Sequence, residues 1–147
     1  MKDKIIQVAH GWLGTPYHHQ ARVKGVGVDC AQLVAAIAEE LGIIPKGTPI
    51  PFDYSPEWHI HNREELLVKN LEAFGCPEKE TAEPGDILCF KFGRAIGHLG
   101  ILVSPHEFIH ARIDVGSVVL NSLFADLDTK KGFWAERHAR TFSFPGA

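Results

Sequence analysis

The side chains in this sequence best suited to chemistry are one thiol and two imidazoles: Cys30, His98 and His110. Cys30 closes the run Gly25-Val26-Gly27-Val28-Asp29-Cys30 and opens an apolar stretch, Ala31 to Leu41, that reads as a helix. A glycine-rich loop thus delivers a thiol to a helix N-terminus, where unpaired N–H groups and the positive end of the dipole favour an anion. A cysteine so placed is expected to have its pKa lowered from about 8.5 toward roughly 3.5–7.5, and the thiolate is the nucleophilic form. His98 follows Gly97 and opens the apolar run Leu99-Gly100-Ile101-Leu102-Val103, while His110 follows Phe108-Ile109. Taken alone, a histidine at a strand start is most often a satisfied edge residue. Paired with Cys30, His98 can take the thiol proton and later protonate a leaving amine. If the two strands pair, His110 can bond to the second nitrogen of His98 and fix its tautomer. The arrangement is that of a cysteine hydrolase.

The other candidates are weaker. Cys76, before Pro77 in a turn, and Cys89, between Leu88 and Phe90, read as small core residues. Tyr17 can be core, or its hydroxyl can point at the thiol or at an oxyanion. Asp29 is expected to cap the Cys30 helix, and its carboxylate can equally bind a substrate amine. His19 and Gln20 border the cleft in this reading, whereas His18, His59 and His61 read as solvated loop residues.

One competing motif is present. His106-Glu107-Phe108-Ile109-His110 matches H-E-x-x-H, which places two zinc ligands and a glutamate base on one helix face. Ile113, Val115, Val118 and Val119 favour strands there instead, and in a strand positions four apart stand roughly 13 Å apart, too far for one ion. No metal and no cofactor are expected.

With 147 residues, the chain is large enough to bury about two-thirds of its unfolded surface, and one domain over 1–147 is expected. A net charge of −3, with basic residues scattered, argues against a nucleic-acid-binding domain. Three cysteines without close pairing argue against a disulfide framework and point to synthesis in a reducing cytoplasm. Met1-Lys2-Asp3-Lys4 precedes only a short apolar patch, so no signal peptide is expected, and no run reaches the roughly 20 apolar residues of a membrane span.

The elements that must position these groups follow from periodicity. Ile5, Val8, Ala9, Trp12 and Leu13 predict a helix over Lys4 to Leu13, stopped by Gly14-Thr15-Pro16. The Cys30 helix should end near Gly42. Pro45, Pro49, Pro51 and Pro56 mark a loop, and Arg63 to Phe74 reads as a third helix stopped by Gly75. Beyond Pro84 the period changes to short β-rich runs: Asp86 to Phe92, His98 to Val103, Glu107 to Arg112, Ser117 to Leu123 and Thr141 to Phe144. Helices first and a mostly antiparallel sheet of about five strands second is an α+β fold.

Gly14-Thr15-Pro16-Tyr17, Val28-Asp29-Cys30, Gly97-His98-Leu99-Gly100-Ile101 and Phe108-Ile109-His110-Ala111 together resemble the NlpC-type cell-wall cysteine peptidases in order, spacing and context. The similarity covers nearly the whole chain. It implies a papain-like α+β core with the nucleophile starting a helix packed on the sheet. It also implies Cys30 as nucleophile, His98 as base, His110 as the third, polar member, and Tyr17 and Asp29 as the family tyrosine and aspartate near the nucleophile. The chain departs at Ala31-Gln32, where serine-glycine is common, and at His18-His19-Gln20, where tryptophan-glycine-glycine is common. Both places line the cleft in family members and bear on substrate preference. The loop Tyr54-Ser55-Pro56-Glu57-Trp58 and the short length look like the branch found in phage tails and gene-transfer agents.

The expected activity is therefore hydrolysis of an amide bond in the peptidoglycan stem peptide, first between D-glutamate and a diamino acid. The expected partners are that peptide and phage-tail proteins, with no nucleic acid or membrane. A phage-like particle, or lysis, would carry the protein to its substrate. The alternatives are a secreted amidase or cysteine acyltransferase on the same fold, or a tail-assembly protein with a vestigial site.

Overall fold

The computed structural model describes residues 1–51 and 66–147. The Tyr54–Trp58 loop, His59, His61 and the expected start of the third helix at Arg63 lie outside the described residues.

Helix α1 (Lys2–Gly11) buries Ile5 and Ala9. A small hairpin follows, β1 (Arg22–Val23) with β2 (Gly27–Val28), and it leads straight into α2 (Cys30–Glu40). Helix α2 ends as predicted at Gly42, whose φ of +71° suits a residue without a β-carbon. There the Gly42 N–H donates to Glu39 O and the Ile43 N–H to Ala38 O, the two bonds of a Schellman motif. Helix α3 (Leu66–Ala73) turns its buried residues Leu67, Val68, Asn70 and Leu71 inward.

The second half forms β3 (Glu78–Lys79), β4 (Ile87–Phe92), β5 (Ala95–Leu102), β6 (Glu107–Arg112), β7 (Ser117–Ser122), the short helix α4 (Phe133–Arg137) and β8 (His138–Phe142). One six-stranded sheet takes the order β3-β8-β4-β5-β6-β7, with every neighbouring pair antiparallel. The strand beyond the expected five is β3, too short to announce itself by alternation. At the other edge the segment before the hairpin docks on β7: Gly14 N–H donates to Val118 O, Val118 N–H to Thr15 O, and Tyr17 N–H to Gly116 O.

Both faces of the sheet are covered. Helices α1, α2 and α3 lie on one face, where Leu33, Ile37, Leu67, Leu71, Ile87, Leu99, Ile101 and Ile109 make the main core. The other face holds a smaller cluster of Leu88, Phe90, Leu102, Phe108 and Leu123, closed by Trp134 of α4. Strand alternation along β5 therefore puts Leu99 and Ile101 in the helix-side core. The His98 ring instead meets Phe90, Phe92 and Trp134. No helix among the described residues is long and apolar enough to cross a membrane.

Candidate active site

Cys30 is the first residue of α2, placed there by a cap that the sequence foretold. Asp29 is extended, with φ −113° and ψ −177°, and its Oδ1 accepts the Gln32 N–H at 2.9 Å. Its other oxygen accepts the Gln20 N–H at 2.6 Å, and His19 Nδ1 stands 3.5 Å from the same atom. That bond steadies Gln20 in a left-handed conformation, φ 64°, which non-glycine residues rarely adopt. The aspartate is 1% exposed, so the thiol helix and the loop carrying His19 and Gln20 are joined through one buried carboxylate.

The thiol itself departs from the expectation of a lowered pKa. Burial, then the charge of Asp29, push Cys30 up to about 12, while the backbone N–H groups of Leu99, Ala31 and Cys30 pull the other way. The N–H groups at the helix start favour the anion, but desolvation is larger. The capping carboxylate moreover repels a second anion beside it. Tyr17 stands in the same field: burial, then Cys30 and Asp29, hold its phenol protonated well above the ordinary range. The structure thus brings Cys30, Asp29 and Tyr17 together, with His19 and Gln20 at their edge.

His98 and His110 are joined as the sequence predicted. His98 Nε2 and His110 Nδ1 are 2.7 Å apart, and the two rings meet edge-on with centroids 4.9 Å apart. Gly100 makes room for this pair. A β-carbon there would stand 2.8 Å from Phe108 Cδ2 and 3.4 Å from His110 Cβ. Trp134 closes over both imidazoles, with ring centroids 5.5 Å from His98 and 4.8 Å from His110. Burial holds both imidazoles neutral, His98 well below its usual value and His110 at about 4. The positive charge of Arg112 lowers both further, and the mutual effect of His110 adds to it at His98.

The thiol of α2 meets the backbone N–H of Leu99 on β5, the residue that follows His98. No hydrogen bond joins the thiol to either imidazole among the described residues. Cys76 and Cys89 lie in the core, and burial alone pushes Cys76 up to about 12.

The zinc motif is extended rather than helical. Glu107–Arg112 is strand β6, His106 is exposed ahead of it, and His110 is fully buried against His98. Among the described residues no group of His, Cys, Asp and Glu could hold a metal ion.

Sequence reading missed Asn121, Arg112 and Trp134. Asn121 Oδ1 lies 2.7 Å from His110 Nε2 and also accepts from Arg112 Nη1 at 3.3 Å. One signal was available: asparagine is depleted in strands, yet it stands in β7 straight after Val118-Val119-Leu120.

Solved structures share this architecture. The chain superposes on the NlpC/p60 domain of peptidoglycan hydrolase SagA with TM-score 0.63 at 19% identity, covering 98% of this chain and 99% of that one. An NlpC/P60 family protein from Bacillus cereus ATCC 10987 gives TM-score 0.62 at 17% identity, over 96% of this chain and 39% of that one. NlpC1 from Trichomonas vaginalis gives 0.62 at 16%, over 97% and 43%. The α+β fold expected from the sequence is the fold of these domains. No curated protein matches the chain. The family model described as the NlpC/P60 family matches residues 14–138. That span runs from the segment docked on β7 to the first residue of β8 and takes in every element that positions the site, so the chain belongs to the NlpC/P60 family.

Proposed function

We propose that this protein is a cysteine peptidase acting on an amide bond of the peptidoglycan stem peptide, first the bond between D-glutamate and a diamino acid. The observation that carries the reading is the 2.7 Å bond between His98 and His110 beside a thiol at the start of α2. One structurally similar protein is named a peptidoglycan hydrolase, which supports the substrate class.

Thiol and imidazole both begin neutral, so the proton moves as the attack proceeds rather than before it. As Sγ of Cys30 bonds to the substrate carbonyl carbon, its proton passes to Nδ1 of His98. Substrate binding draws the two groups into contact, since catalytic hydrogen bonds commonly tighten only in the complex. The developing oxyanion accepts from the Cys30 N–H and from the Tyr17 phenol, which stays protonated. Collapse breaks the C–N bond, and the His98 proton leaves with the amine. A water, deprotonated by His98, then attacks the thioester carbon and releases the acid, restoring the thiol. The substrate meets the loop of His19 and Gln20, which the buried Asp29 Oδ2 holds in place. Carriage on a phage or phage-like tail, or release by lysis, is the delivery route that goes with this reading.

Digestion of purified peptidoglycan by wild type and Cys30→Ala, read by mass spectrometry, tests it. New stem-peptide fragments from the wild type alone are expected, and their masses name the bond. Fragments from both proteins, or from neither, would overturn the assignment.

A further inference from the structure

The two histidines leave open which nitrogen of His98 carries the lone pair, and only one choice makes a base. Strand β7 settles it. Arg112 Nη1 can only donate, and it lies 3.3 Å from one terminal atom of the Asn121 amide. That atom must therefore be the oxygen, since the amide NH2 there would set donor against donor. The same oxygen lies 2.7 Å from His110 Nε2, so Nε2 carries a hydrogen and donates. A neutral His110 then has its lone pair on Nδ1 and accepts from His98 Nε2 at 2.7 Å. What remains on His98 is a lone pair at Nδ1. Turning the amide over would reverse every step and leave an N–H, not a lone pair, at His98 Nδ1.

Arg112 is itself anchored. Its Nε donates to Asp114 Oδ1 at 3.0 Å and its Nη2 to Asp114 Oδ2. Its guanidinium stands 5.6 Å over the Trp134 ring that covers both imidazoles.

We infer that Asn121, oriented by Arg112, is a positioning residue that sets the tautomer of His110 and through it makes Nδ1 of His98 the basic nitrogen. The catalytic line therefore extends past its third member to an amide and a guanidinium on adjacent strands. The inference rests on the proposed role of His98 as base, but its main readout needs no substrate.

Nitrogen-15 spectra of the full chain labelled at histidine report the tautomer of each ring. Wild type should show His98 and His110 both protonated at Nε2 and unprotonated at Nδ1. Asn121→Leu should give mixed tautomers at both rings and lower kcat by about 10- to 10²-fold, part of the full worth of a positioned base, with KM nearly unchanged. Asn121→Asp, which can only accept, should keep the wild-type tautomers and recover most of kcat. Arg112→Met, which frees the amide to turn, should also mix the tautomers. Protonation of His98 at Nδ1 in the wild type, or unmixed Nε2–H tautomers in Asn121→Leu, would overturn the inference. Should Asn121→Leu fail to fold, the wild-type spectrum and Arg112→Met still decide. The expected nitrogen pattern in a wild type that cuts no peptidoglycan would sink the peptidoglycan reading and leave this one standing.

Discussion

The carboxylate of Asp29 caps the helix that begins with Cys30 and, from the same place, opposes ionisation of its thiol. Cap and charge are separable by substitution. An asparagine in its place would still accept the Gln32 N–H, because asparagine caps about as well as aspartate. Asp29→Asn should therefore keep the cap and lower the thiol pKa, while the melting temperature falls because its NH2 group faces the Gln20 N–H that Oδ2 accepts in the wild type. Asp29→Ala should lower the pKa too, but lose about 1 kcal/mol of stability with the cap. Thermal melts with thiolate absorbance titrations check this; an Asp29→Asn thiol that titrates higher than wild type would refute it.

The resting thiol should be protonated at neutral pH. With Cys30 pushed up to about 12 and His98 held neutral, no thiolate–imidazolium pair is preformed. The rate of alkylation at Cys30 should climb steadily with pH and show no plateau between about pH 5 and 8, the range in which such a pair would reveal itself. Ultraviolet thiolate absorbance at neutral pH would contradict the structure.

Stability should fall as the solution is acidified. His110 has its folded pKa lowered to about 4 from 6.5 by burial and by Arg112. Between those values the unfolded chain binds a proton that the folded chain does not, so stability drops as pH falls through 6.5 toward 4 and levels off below. The loss from this group is on the order of 3 kcal/mol. His98 shifts in the same direction and adds to it. Urea unfolding at a series of pH values measures the slope, and His110→Asn should flatten it.

Gly100 tolerates no side chain. A methyl group there would press on Phe108 and on His110 Cβ, both fully enclosed. Gly100→Ala should cost about 1–3 kcal/mol by overpacking. By displacing the second imidazole it should also reduce peptidoglycan cleavage by up to about 10²-fold. A variant with wild-type melting temperature and turnover would show that the sheet yields there without consequence.

What the sequence disclosed was whatever acts locally. Asp29 before an apolar run marks a helix start, Gly42 marks its end, and β-branched alternation marks β4 to β7. The pairing of His98 with His110 was legible because the two runs are consecutive and joined by a tight turn. Asn121 was not, because its meaning depends on the register that sets Phe108 opposite it across β6 and β7. Helix α4 was missed because it has only five residues and no side-chain cap; it is held by Trp134 packing on distant rings. The thiol pKa was misjudged for a related reason. A dipole can be read from a helix start, but enclosure by β5 cannot.

The docking of residues 14–17 on the edge strand acquires a mechanical meaning once the site is assembled. Tyr17 hangs from Gly116 at the mouth of β7 through its own N–H, and Asn121 stands near the other end of that strand. The hydroxyl proposed for the oxyanion and the amide that orients the imidazoles are thus fastened to one beam. A shift of β7 along its axis would move both together, keeping them in step with each other while detuning each against the thiol on α2.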